Sequence, residues 1–164
     1  TIDGALTLYD SLIHAPAFDT GLDNIKIRVY PLVIPDLNIL NYVFNFVGNK
    51  ILKKMNQLTE LFAREIIGQT PKAHKGLLEK TYLVSDTELF QEEYGDSVVP
   101  FLNKIGIPRK EWDKTKKLFV VRSVIMSPYL TTDYVAKNYA QDFIEFLKTQ
   151  SEKNKEKIIN IWKS

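Results

Sequence analysis

The chain has 164 residues, 45% of them hydrophobic and 12% aromatic, and its 22 basic and 20 acidic residues leave a formal charge of +2. That apolar fraction builds a core and excludes a disordered chain, while 7 Gly and 7 Pro exclude collagen-like and low-complexity architectures. Cysteine is absent and His14 and His74 are the two histidines, which removes disulfides, thiolate metal sites, Cys nucleophiles and three-histidine zinc centres.

In chain order, Asp3 is placed to cap a helix over 3–14 whose Leu8, Leu12 and Ile13 share a face. Ala15-Pro16 ends it, because a residue before proline is pushed out of helical angles. From Ile25 to Val29 apolar and charged residues alternate, the period of a half-buried strand near 25–30, and Pro31 and Pro35 limit it to an edge strand or a short extended segment. The strongest periodicity follows. Leu40, Phe44, Val47, Ile51, Met55, Leu58, Phe62 and Ile66 recur at steps of three and four, predicting one long central helix over 37–67, capped at Asp36 and stopped by Gly68 and Pro71. Gly48 lies inside it, where it costs about 1 kcal/mol relative to Ala.

Residues 72–84 read either as a helix or as a turn into a strand over 81–84. Ser85 or Asp86 caps a helix over 87–94, and Asp96 another that ends at Gly106. Pro108 opens a helix expected to run on to Ser127, since no turn signal breaks the apolar stretch 118–126; its β-branched content argues for strand instead. A helix over 133–149, with Phe143, Phe146 and Leu147 on its inner stripe, and a basic segment 153–163 with an Ile/Trp face complete the chain. The fold class expected is mainly α: a single-domain helical bundle over 1–164 with one long central helix and at most a minor β element near 25–30. The start at Thr1 suits a processed product or a domain excised from a larger protein.

Chemical signatures are sparse. There is no Gly-rich phosphate loop, no nucleophile elbow and no helical His pair, so no cofactor, no metal and no catalytic residue is assigned. Eighteen Lys against four Arg disfavour specific nucleic-acid reading, and no apolar stretch reaches the roughly 20 residues a membrane-spanning helix needs. The reading is a soluble, non-enzymatic protein-interaction or ligand-sensing domain of regulatory type, the cytoplasm favoured. Its expected partners are a protein or a second copy of itself, with a small apolar or anionic ligand. The alternative is a small enzyme using carboxylate and Tyr acid–base chemistry on an anionic substrate anchored by Arg.

Arg122 stands in the most apolar run of the chain, where an unpaired charge costs several kcal/mol, about 2–5 in practice. It therefore needs a carboxylate or an anionic ligand, and a structural ion pair is expected. Arg122, Tyr129 and Tyr42 form the ligand-binding set. Ile158, Ile161 and Trp162 are the apolar anchors of a partner-binding surface, since aromatic residues dominate interface hot spots; the competing expectation, slightly favoured, packs them into the domain's own core. His14, at a helix C-terminus, serves the helix dipole.

Overall fold

The computed structural model describes residues 2–20, 24–68, 84–125 and 133–164. Among them the chain runs α1 (Ile2–His14), β1 (Phe18–Asp19), β2 (Lys26–Pro31), β3 (Ile39–Phe46), α2 (Leu52–Gly68), β4 (Val84–Phe90), α3 (Gln91–Tyr94), α4 (Val99–Lys104), α5 (Arg109–Thr115), β5 (Lys117–Val124), α6 (Asp133–Lys153) and α7 (Lys155–Lys163). The strands form one antiparallel sheet in the order β1-β2-β3-β5-β4. The fold is therefore α+β, and the expected helical bundle is overturned.

Two elements account for the error. The expected long helix 37–67 is the strand β3, a turn, and the helix α2. β3 is buried on both faces, so both its residue sets are apolar and the period-two alternation that marks a strand is lost. Gly48, at φ 82°, makes the turn, and Asn49 locks it: its Nδ2 donates to Asn45 Oδ1 (2.8 Å) and to Ile51 O (2.9 Å). The helix expected from Pro108 to Ser127 is likewise α5 followed by the strand β5. The turn between them went unseen because its left-handed residue is Lys116, at φ 59°, rather than glycine. The helix expected over 87–94 is divided: 87–90 belong to the strand β4, and 91–94 form the single-turn helix α3. The helices over 3–14 and from 133 are present, and so is the strand near 25–30, although β2 lies between β1 and β3 rather than at the sheet edge. The alternatives for 72–84 fall almost wholly outside the described residues.

The sheet separates two apolar layers. On one face Leu40, Tyr42, Phe44 and Phe46 of β3, with Phe119 and Val121 of β5, pack against α1, α2, α6 and α7 through Leu8, Leu12, Leu58, Phe62, Phe143, Leu147 and Ile158. The Phe44 and Phe62 rings lie 4.9 Å apart. On the other face Val43, Leu118 and Val120 meet Val98, Phe101, Leu102, Ile107 and Trp112 from α4, α5 and the segments around them. Trp112 is fully buried and donates Nε1–H to Gly95 O at 2.9 Å.

Helix α2 reaches both layers, Leu52 and Met55 in the second and Leu58 onward in the first. It does so because β3 and β5 pair over four rungs only, from Ile39↔Val124 to Tyr42↔Val121. Extending that register would set Phe44 opposite Phe119, but the strands part there and α2 enters the fork. Thr59 Oγ1 accepts the Phe44 N–H (3.1 Å), and Asn56 accepts the Phe119 N–H (3.0 Å) and donates to Lys117 O (2.9 Å). Side chains of one helix thus replace the missing strand, as buried backbone polar groups require. The first turn of α2 is tied down in turn: Glu111 Oε2 of α5 accepts the Leu52 N–H at 3.2 Å.

Candidate functional site

Alternation along the strands decides what each face carries. In β3, residues 40, 42, 44 and 46 face the large apolar layer, so Ile39 and Asn41 face the other way. In β5 the same rule turns Val120 and Arg122 to that second face, and Arg122 stands directly opposite Asn41. β4 continues the row with Ser85 opposite Arg122 and Thr87 opposite Val120. Helices α4 and α5 cover the Val43 and Leu118 end of this face. Toward Arg122 they leave it open.

That opening is a cavity of about 310 Å³. Its floor is Ile39, Asn41, Thr87, Leu89, Val120 and Arg122. Residues 32–38 form one wall, held along the sheet end by Leu32 N–H to Asn41 O (2.9 Å) and Ile125 N–H to Asn38 O (2.8 Å), and Tyr94 of α3 forms the other. Val33, Ile34 and Leu37 of the wall are 60–66% exposed, an apolar rim unusual for a short loop.

The cavity's charged groups are unpaired among the described residues, and one buried acceptor is unsatisfied. Arg122 is half-buried and forms no ion pair among the described residues, so the expected structural pair is not made. The strand turns it into a water-accessible cavity rather than into a closed core, which is why the charge is tolerated. Asn41 Oδ1 is buried and accepts no hydrogen bond. Asp36 lines the same cavity and is also unpaired among the described residues. Asn41, Asp36 and Tyr94 were missed in the sequence. Asn41 carries the signal that singled out Arg122, a polar residue inside an apolar run.

The other expected ligand residues are not brought to this cavity. Tyr42 is on the opposite face, 1% exposed, with its hydroxyl 3.0 Å from Ser123 Oγ. Tyr129 and His74 lie outside the described residues. Ile158 is fully buried in the large apolar layer, Ile161 packs against that layer, and Trp162 stacks edge-on against Phe46 at 5.1 Å. Lys54 Nζ donates to Trp162 O at 2.7 Å. These three residues are thus engaged with the chain's own core.

A second cleft of about 580 Å³ lies between α1 and α6, lined by Asp10, His14, Glu145 and Lys148 among others. Its charges are already matched: His14 contacts Asp10, and Lys148 pairs with Glu145. No group of three or more His, Asp or Glu able to hold a metal occurs among the described residues, and no described helix is long and apolar enough to cross a membrane.

A family model described as "Tyrosine decarboxylase, C-terminal" matches residues 4–151. The chain belongs to the tyrosine decarboxylase C-terminal family. Curated relatives agree. The L-tyrosine decarboxylase of Levilactobacillus brevis is 33% identical over 130 residues, covering 79% of this chain and 20% of that protein. That of Enterococcus faecium is 30% identical over 122 residues, covering 74% and 19%. The chain thus spans about a fifth of the length of these relatives. Membership of a decarboxylase family overturns the expectation of a non-enzymatic sensing or regulatory domain. That expectation rests on absent motifs. Missing motifs do not exclude membership of an enzyme family, and the match here runs across residues 4–151.

Proposed function

We propose that this chain is part of an enzyme that decarboxylates L-tyrosine or a closely similar aromatic amino acid. The observation that carries the reading is the family match across residues 4–151, supported by relatives bearing that name. In the reaction the bond between Cα and the carboxylate breaks, carbon dioxide leaves, and Cα takes up a proton to give the amine.

The broken bond leaves its electron pair on Cα, and pyridoxal phosphate, held by a lysine Schiff base, is the cofactor class that accepts such a pair. The lysines described here do not suit that role. Lys54, Lys117 and Lys148 are half-buried and engaged with Trp162 O, Glu88 and Glu145, and the others whose side chains are described are exposed. On this reading the electron sink is held outside the described residues, and this fold contributes a two-layered α+β body.

The test is direct. The full-length protein carrying this chain, isolated from its own cells, is incubated with L-tyrosine labelled at the carboxylate. Release of labelled carbon dioxide with an equal amount of tyramine is expected. Absence of release from tyrosine, phenylalanine and dihydroxyphenylalanine alike overturns the reading.

A further inference from the structure

We propose that the cavity beneath residues 32–38 binds a free α-amino acid, as the zwitterion, with an apolar or aromatic side chain. The inference stands on the cavity alone and is independent of the decarboxylase reading. Arg122 and Asp36 are opposite charges on the lining of one cavity, yet they form no ion pair with each other or with any other described residue. Arg122 is half-buried and Asp36 stands exposed at the cavity mouth, so a ligand bearing both charges can meet one inside and the other at the rim. Beside Arg122, one rung across the ladder, the Asn41 Oδ1 acceptor is buried and unused. A buried acceptor without a donor is costly, about 1–3 kcal/mol, and a bound N–H group relieves it.

The chemistry these groups ask for is specific. The Arg122 guanidinium matches a carboxylate, which it grips through two parallel N–H bonds. Asn41 Oδ1 and the Asp36 carboxylate accept hydrogen bonds and match an ammonium. A simple anion such as phosphate would meet two acceptors it repels, and a simple amine would meet the Arg122 charge. A molecule bearing both charges close together satisfies all three. The remaining lining, including Leu32, Leu89, Val120 and the Tyr94 ring, is suited to an apolar side chain. The volume, about 310 Å³, lies at the lower end of small-ligand pockets, which start at roughly 300 Å³, so it admits one amino acid and no nucleotide.

The experiment is equilibrium dialysis of the full-length protein, its turnover blocked with a carbonyl-trapping hydrazine, with radiolabelled L-tyrosine and L-phenylalanine. The comparison ligands are tyramine, which lacks the carboxylate, and 3-phenylpropanoate, which lacks the ammonium. Arg122→Gln and Asp36→Asn are measured beside the parent; Asp36 is exposed in a loop, so its variant keeps the fold even if the Arg122 variant does not. Each variant is expected to weaken one class of amino-acid site by about tenfold or more, the scale of a lost charge-assisted hydrogen bond. Neither comparison ligand is expected to fill that site at the same concentration. Carbon dioxide release is read on untreated portions of the same samples. Normal release with amino-acid binding unchanged in both variants overturns the site and leaves the decarboxylase reading intact. No release from any sample, with the site still weakened in both variants, does the reverse. Equal binding of 3-phenylpropanoate and the amino acid, unaffected by Asp36→Asn, also overturns the proposal.

Discussion

Two side chains of α2 stand where a strand would otherwise be, and they are the residues on which stability should turn most sharply. Thr59 Oγ1 accepts the Phe44 N–H while itself donating to a backbone carbonyl, with Met55 O at 2.8 Å and Phe44 O at 3.1 Å. Thr59→Val keeps the shape and leaves the Phe44 N–H buried without an acceptor, so unfolding in urea should show a loss of about 1–3 kcal/mol. Thr59→Ser keeps the hydroxyl and should lose much less. Asn56→Leu strips partners from two backbone groups, the Phe119 N–H and Lys117 O, and should cost more than Thr59→Val. Equal or smaller loss in the Asn56 variant would show that water enters the fork. Neither role was legible in the sequence, where Asn56 and Thr59 read as ordinary polar positions on an amphipathic helix. Their partners are fixed by a sheet that the periodicity had concealed.

At the scale of elements, what was legible is what one exposed face makes legible. α1, with Leu8 and Leu12 buried although Ile13, expected on their face, is exposed, and β2, with Ile27 and Val29 in and Lys26 and Arg28 out, display their periods because one side meets water. β3 and β5 meet protein on both sides, so their periods vanish into continuous apolar runs. Arg122 stands out in the sequence as a polar residue in such a run, but its partner across the ladder, Asn41, becomes visible only once the register is known. The α5–β5 junction offers a test. Lys116 occupies the left-handed region at φ 59° and ψ 9°, and its N–H bonds to Trp112 O at 2.8 Å, the arrangement glycine favours at a helix end. Lys116→Gly should stabilise the protein by about 0.5–1 kcal/mol, read as a higher thermal midpoint. An unchanged or lower midpoint would mean that the unfolded-state entropy of the added glycine outweighs the relief.

For the whole molecule, the C-terminal segment decides whether the fold stands by itself. Ile158 is fully buried in the large layer, and Trp162 bridges Phe46 of the sheet and Lys54 of α2. Removing residues 149–164 should lower stability by more than Ile158→Ala alone, itself about 2–5 kcal/mol, with sedimentation mass at native temperature unchanged for the point variant. A truncated protein as stable as the parent, but of altered assembly state, would assign the segment to an interface instead. The fork in the sheet has a consequence of another kind. An ordinary five-stranded sheet has two open edges, and here β1 is short at one and β4 carries Asp86 and Glu88 at the other, which discourages pairing with foreign chains. Should α2 leave its seat, Phe44 and Phe119 would present two further edges from the middle of the sheet, apolar and free of guarding charge. The helix is thus the molecule's protection against aggregation as well as its brace, and variants that loosen it should fail by precipitating before they fail by unfolding.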